Sequence, residues 1–267
     1  MTTSLPVLFF LHGCFIVFLP KPRRSVLNLF AGVTLFGMGL APAVAESKLT
    51  GVVEMFTSQG CSSCPPADKL LEKYAARDDV LALSFHVDYW NYLGWQDTFS
   101  HAGFTERQYR YAASFKRRGV YTPQAVINGR THVVGSRGQE VEGLLQAYRD
   151  GGKGLTADLN VRQSDGVVRI SSTGTQSATL WLVSYHTARS VDIERGENRG
   201  KRITYHNVVR DVSMLGMVKD GVLDISLPAA ELGRGDADGK ALLLQQTTPS
   251  GTPGPIIGAA RIKVPAS

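Results

Sequence analysis

A chain of 267 residues with 43% hydrophobic and 19% charged side chains has the composition of a globular protein, one large domain or two small ones. Its formal net charge is +6, of which three units come from Lys21, Arg23 and Arg24 near the N-terminus. The remainder is too small, with no basic patch interleaved with aromatics, to argue for nucleic acid as a partner.

The first forty-five residues read as a leader. Lys21, Arg23 and Arg24 precede an apolar run over 26–40, and Ala43-Val44-Ala45 follows ahead of Glu46. This is the order of a basic region, an apolar region and an A-x-A cleavage site. The expectation is a periplasmic or secreted protein cleaved after Ala45, with Arg23-Arg24 leaving the twin-arginine route as an alternative. A further apolar stretch, 7–19, reads as an over-extended gene start; the other reading is a membrane contact through an uncleaved leader. Removal of the leader takes Cys14 with it. Cys61 and Cys64 then form a self-contained dithiol–disulfide couple in an exported chain.

Taken in order, Val52, Val53, Met55 and Phe56 make a short run suited to a buried strand over 51–56. Gln59-Gly60 ends it, and Cys61-Ser62-Ser63-Cys64 leads into Pro65-Pro66, which suit the first turn of a helix. That helix shows an apolar face of Ala67, Leu70, Leu71, Tyr74 and Ala75. Pro65 biases Cys64 away from helical geometry, so the helix is expected to begin after the cysteines. A second buried strand follows over 80–87. Residues 88–95 form an aromatic-rich loop, read either as an Ω-loop packing its own rings or as a wall that grips substrate through Trp90 and Trp95. Thr105-Glu106-Arg107-Gln108 has the pattern of a capping box opening a helix to about 118. Two β-rich runs then flank Asn128-Gly129, a strong hairpin signal, and Pro123 stands just before the first of them. Proline is tolerated at a strand's first residue, and a cis peptide after Thr122 is the special possibility. A helix over 139–149 closes this part.

Gly151-Gly152-Lys153-Gly154 is a natural boundary, beyond which short strand-like runs alternate with turn signals. The expectation there is an all-β, sandwich-like domain over 151–267, after a domain at 46–150. The charged turn 195–201 reads as a solvated hairpin tip, the alternatives being a clamp on a partner or a reach across to the cysteine-bearing domain.

The element order strand, Cys-x-x-Cys, helix, strand, loop and helix, X-Pro, hairpin, helix resembles the α/β thioredoxin fold over 49–150. Cys61-Ser62-Ser63-Cys64-Pro65-Pro66-Ala67-Asp68, His86-Val87-Asp88-Tyr89-Trp90, Tyr121-Thr122-Pro123-Gln124 and Arg195-Gly196-Glu197-Asn198 are similar to an uncharacterised bacterial family of secreted thioredoxin-like proteins known only as a domain of unknown function. The resemblance implies fold and location, a cis-proline at Pro123 lying against the disulfide, and no established substrate.

The chemistry expected of the pair is thiol–disulfide exchange with protein or small-thiol disulfides and a redox partner. Cys61 attacks and Cys64 resolves the mixed disulfide. A purely structural disulfide is the other reading, but so small a loop stabilises by only about 2 kcal/mol. Glu54, alternating onto one face with Val52 and Phe56, resembles the buried acid of thioredoxins and is the candidate proton acceptor from Cys64; an ion pair or a solvent-facing position is the alternative. Trp90, Trp95, Tyr121 and Thr122 are the candidate substrate contacts. No cofactor beyond the disulfide is expected. The runner-up function is copper(I) binding or delivery by Cys61 and Cys64 with His86 or His132, and the third is a non-catalytic interaction protein.

Overall fold

The computed structural model describes residues 48–173 and 177–262. The leader, with its cleavage site and its membrane alternative, lies outside the described residues, as does the end of the strand expected over 256–264. Among the described residues no helix is long and apolar enough to cross a membrane.

The chain alternates at first. Strand β1 (Gly51–Thr57) runs into helix α1 (Pro65–Ala75), then β2 (Val80–His86), a single 3-10 turn (Asn91–Leu93) and α2 (Ala102–Ser114). The hairpin β3 (Gln124–Ile127) and β4 (Thr131–Val134) follows, with α3 (Gly138–Asp150) behind it. β1 and β2 are parallel and buried on both faces, which is why their sequences are nearly continuous apolar runs. The hairpin turn is made by Asn128 and Gly129, both at positive φ, as a two-residue turn between twisted strands requires. The Thr122-Pro123 peptide is cis.

The helix α2 begins earlier than the Thr105 capping pattern indicates. His101 caps it, accepting from the Gly103 N–H at 3.1 Å. Thr105 is occupied by Asp88, donating to its carboxylate at 2.6 Å and accepting from its N–H at 3.1 Å. A tertiary bond to the loop after β2 therefore takes the hydroxyl that a local cap would have used.

Beyond α3 come β5 (Asn160–Ser164), β6 (Val167–Thr173), β7 (Thr179–Asp192), β8 (Arg202–Met217), β9 (Val222–Pro228), a one-turn helix α4 (Ala229–Leu232), β10 (Gly239–Thr247) and β11 (Pro253–Ile262). Four of these strands extend the sheet already begun, giving the order β11-β10-β7-β8-β2-β1-β3-β4. β8 joins β2 in parallel through Ser84 and Val208, and the Asn207 side chain donates to the Ala82 carbonyl beside that junction at 2.8 Å. The remaining strands form a small antiparallel sheet, β5-β6-β9.

The expected boundary at 151–154 is thus a connection within one unit that holds all the described residues. The physical reason lies in the core. On one face of the large sheet, α2 covers a single apolar cluster that runs from Val52, Leu81 and Phe85 through to Val183, Val209, Leu243 and Ile256. The opposite face is divided. α1 and α3 bury Val53, Met55, Ala82 and Ile127, while the small sheet packs Val168, Ile170 and Leu223 on Leu180, Leu242 and Leu244. Sheet-on-sheet packing does occur in the C-terminal part, but one of its two layers is the sheet it shares with β1–β4.

Candidate functional site

β1 delivers the chain, buried throughout, to the turn that carries the two cysteines. The Cys61 N–H donates to the Ser58 carbonyl at 3.1 Å, the Cys64 N–H donates to the Cys61 carbonyl at 3.2 Å, and Cys61 and Cys64 are joined as a disulfide with Cα atoms 5.4 Å apart. α1 starts after them, at Pro65, whose missing N–H costs nothing in a first helical turn. Cys64, the residue preceding the helix, is nevertheless helical itself (φ −80°, ψ −35°), against the bias that a following proline imposes. Its carbonyl accepts from the N–H groups of Ala67 and Asp68 at 2.8 and 3.1 Å, bonds that hold it in that geometry. Both cysteines are buried: Cys61 is 2% exposed and Cys64 is 0%.

Three of the four expected substrate contacts converge on this turn. Trp90 lies beside Gly60, where an added Cβ would come within 3.2 Å of its Cβ, and the indole N–H donates to Thr122 Oγ1 at 2.8 Å. Thr122, on the cis peptide, takes Ser63 Oγ on its carbonyl at 3.4 Å; Ser63 Oγ is also 3.4 Å from Cys61 Sγ. Trp95 donates to the Gln59 side chain at 2.8 Å. Tyr121 is engaged elsewhere, with His132 at 2.9 Å and under the Arg117 guanidinium. The aromatic loop therefore walls the cysteine turn, with Tyr92 standing 77% exposed at its tip.

Glu54 does not serve the cysteines. It is fully buried, on the sheet face with Val52 and Phe56, whereas α1 covers the face of Val53 and Met55. Arg107 Nε donates to it at 2.8 Å, the Tyr111 hydroxyl donates to its other oxygen, and Gln245 closes the ring by accepting from Arg107 at 2.9 Å and donating to Tyr111 at 2.7 Å. This is the ion-pair alternative, and its partners come from α2 and β10.

The acid on the cysteine side is Asp68, one helical turn after Cys64. It is 3% exposed, and Thr57 Oγ1, at the end of β1, donates to its Oδ1 at 2.7 Å. Burial pushes its carboxyl up to about 7, against the opposing pull of the Thr57 hydrogen bond and of His86. Beside it lies a buried pair, His86 and Asp97, 2.7 Å apart. Burial alone would raise Asp97, but the neighbouring His86 and the N–H groups of Gln59 and Phe99 outweigh it and hold the carboxyl below its ordinary value. The Tyr205 ring packs on His86 with centroids 4.7 Å apart. Burial, with Asp68 and Asp97 nearby, pushes its hydroxyl up. Asp68 Oδ2, His86 Nε2 and the Tyr205 hydroxyl are all buried without a hydrogen-bond partner. Among the described residues no group of three or more His, Cys, Asp or Glu side chains is placed to hold a metal ion, and Cys61 and Cys64 are bonded to each other.

The 195–201 turn reaches across to the cysteine turn through Asn198 and Glu197, while Arg195, Arg199 and Lys201 stay exposed. β7 and β8 pair out to Asp192 and Arg202, and their connection folds onto the cysteine turn. Asn198, 1% exposed, donates from one Nδ2 to the carbonyls of Gln59 and Cys61, each at 2.9 Å, and accepts from Lys201 Nζ at 2.8 Å. Glu197 accepts from the Ser62 N–H at 3.3 Å, and Gly196, at positive φ, leaves room for the Trp95 Cβ, which would stand 3.2 Å from an added Cβ. Asp68 was legible as a residue on the apolar stripe of α1, at the spacing of Cys64, Ala67 and Leu71. Asn198 and Tyr205 carry no local signal that links them to residues more than a hundred positions earlier.

No curated protein matches the chain. Among solved structures, an X-ray crystal structure of a protein from Agrobacterium tumefaciens, determined by a structural genomics consortium, is 38% identical with a TM-score of 0.75, covering 84% of this chain and 98% of that one. HBP35 of Porphyromonas gingivalis is 12% identical with a TM-score of 0.55, covering 81% of this chain and 76% of its own, a likeness of fold alone. The family model described as "Protein of unknown function (DUF1223)" matches residues 52–245, and the chain belongs to that family.

Proposed function

We propose that the chain is an exported thiol–disulfide oxidoreductase on a thioredoxin-like framework, acting through Cys61 and Cys64. The observation that carries this reading is the disulfide at a strand–helix junction with a buried acid, raised to about 7, one turn beneath Cys64. The parallel β1–α1–β2 unit, the antiparallel β3–β4 hairpin and the cis peptide at Pro123 support the framework.

In the oxidised form an incoming thiolate attacks Cys61 Sγ. The Cys61–Cys64 bond breaks, its electron pair passes to Cys64 Sγ, and protonated Asp68 supplies the proton. A second thiolate then attacks the substrate sulfur of the mixed disulfide and releases Cys61 as a thiolate. Two substrate thiols become one disulfide, and the protein pair is reduced by two electrons. In the opposite direction the Asp68 carboxylate takes the proton of Cys64, which attacks the Cys61 mixed disulfide. An acid that titrates near neutrality serves both directions, since its two forms coexist at working pH. Pro123 and Thr122 line the approach, and Trp90 and Trp95 hold the turn.

The test is the reduction potential of the pair, by equilibration of the purified protein with glutathione. A value near about −120 to −180 mV marks an oxidant or isomerase, and one near about −270 mV a reductant. In the same assay Cys64→Ser is expected to accumulate a mixed disulfide on Cys61. A pair that refuses exchange with glutathione at any poise, after denaturation has shown it to be reducible, overturns the reading.

A further inference from the structure

We infer that the β7–β8 turn is a substrate filter which confines exchange at Cys61 to low-molecular-mass thiols and disulfides and shuts out disulfides held in a protein chain. The inference rests on the exchange reading above and names its substrate class.

A peptide that docks at a buried cysteine is held by main-chain hydrogen bonds to the backbone on either side of it. Here those groups are already taken by the chain itself. The carbonyls of Gln59 and Cys61 both accept from Asn198, and the Ser62 N–H donates to Glu197. On the remaining side, Ser63 bonds the Thr122 carbonyl and Trp90 bonds the Thr122 hydroxyl. On these sides of the turn a docking polypeptide meets three carbonyls and an N–H that already have partners. A small disulfide needs none of them, only a line of approach to Cys61 Sγ, and Cys61 keeps a sliver of exposure that Cys64 lacks.

The filter is rigid. Asn198 is buried and uses both ends of its amide, with Lys201 fixing the oxygen while the nitrogen grips the turn. Within the connection, Ile193 and Lys201 pair at 2.9 Å and the Gly200 N–H donates to the Ile193 carbonyl at 2.7 Å, so the tip is continuous with the long β7–β8 ladder. Displacing it to admit a chain means breaking its bonds to the turn together.

For glutathione disulfide the step balances as follows. The Cys61 thiolate attacks one sulfur, forming a mixed disulfide and releasing one glutathione thiolate. Cys64, its proton lost, attacks Cys61 Sγ and releases the second. The protein dithiol is oxidised by two electrons, and one glutathione disulfide becomes two thiols.

The experiment compares the rates at which the reduced protein is oxidised by glutathione disulfide and by insulin, in wild type, Asn198→Ala and Glu197→Ala. Wild type is expected to react far faster with glutathione disulfide. The ratio of insulin rate to glutathione disulfide rate is expected to rise about tenfold or more in Asn198→Ala and less in Glu197→Ala, as one or more bonds to the turn are lost. Glu197 is exposed, so its variant stays informative if Asn198→Ala fails to fold. Equal wild-type rates with the two substrates overturn the filter, as does an unchanged ratio in folded variants. Alkylation of Cys61 in the reduced protein separates this inference from the exchange reading. N-ethylmaleimide is expected to react much faster than a maleimide bearing a long polyethylene-glycol chain, and the variants are expected to close that gap. If neither disulfide exchanges, the redox reading falls and the exchange filter falls with it, and the maleimide gap then reports only whether the turn screens Cys61 by size; if the disulfides exchange but both maleimides react alike in wild type, the filter alone falls.

Discussion

Two buried carboxylates, Glu54 on β1 and Asp68 on α1, lie fourteen positions apart in the chain and on opposite faces of one sheet. Glu54 is surrounded by donors that match it: an arginine, a tyrosine and a glutamine bridging the two. Asp68 has one donor, Thr57, and its second oxygen shares a locus with two other orphaned polar atoms. A network in which every member is satisfied fixes a structure. A locus whose polar atoms lack partners disfavours the charged carboxylate, so the proton stays on until near neutrality and can be exchanged there. The difference separates a carboxylate locked into the core from one to which we assign the proposed exchange chemistry.

The comparison breaks most visibly at the satisfied network. Glu54→Gln leaves the Arg107 charge buried without its counter-ion, and a loss of about 3–5 kcal/mol in denaturant-unfolding stability is expected. The exchange rate of the molecules that remain folded is expected to be unchanged. A slower rate in that variant would return Glu54 to the mechanism.

Asp68→Asn is expected to do the reverse. Exchange with glutathione near pH 7 slows about 100-fold, the scale of a lost acid–base group. The rate also loses its inflection near pH 7. Stability sharpens the contrast. Burial pushes the folded carboxyl up to about 7, above its ordinary value of 3.8, so the native state binds the extra proton between those limits. Asp68 therefore contributes a stability that is full below pH 4 and falls, by about 4 kcal/mol, as pH rises to 7. In Asp68→Asn this slope between pH 4 and 7 is expected to flatten; an unaltered slope would mean that the carboxyl is not the group titrating there.

The smallest effect is expected at Tyr205, whose buried hydroxyl has no partner. Tyr205→Phe removes a desolvated polar group and keeps the ring on His86, so a gain of about 1 kcal/mol in stability is expected. A loss of that size would show that the hydroxyl is bonded after all, for instance by a buried water.

Much of this was written locally and much was not. The cis peptide at Pro123 is expected through the resemblance, whereas the strand before the cysteines, the helix opening at Pro65 and the hairpin at Asn128-Gly129 follow from neighbouring residues. Short-range sterics decide such features, and a sequence displays them. The single sheet does not follow, because β8 meets β2 across more than a hundred residues and no local pattern marks Ser84 and Val208 as partners. A glycine-rich stretch such as 151–154 looks like a domain boundary whether or not the next strands return to the same sheet. Glu54 misled for a related reason. Alternation places it on a face, but only the fold brings Arg107 to that face. The charged 195–201 turn has the composition of a solvent-exposed tip, and it is one except for Asn198, whose burial depends on where a long hairpin ends.

The joining of β8 to β2 has a consequence for how the chain can be divided. A fragment ending at residue 150 would contain β1–β4 and both cysteines, yet β2 would become an outer strand of its sheet. That strand, Val80–His86, is buried along its whole length and has neither proline nor a formal charge to blunt an open edge. Bare, flat apolar edges of this kind recruit strands from other molecules. Through β8 the C-terminal half thus covers a strand of the N-terminal half that would otherwise be an open, apolar edge.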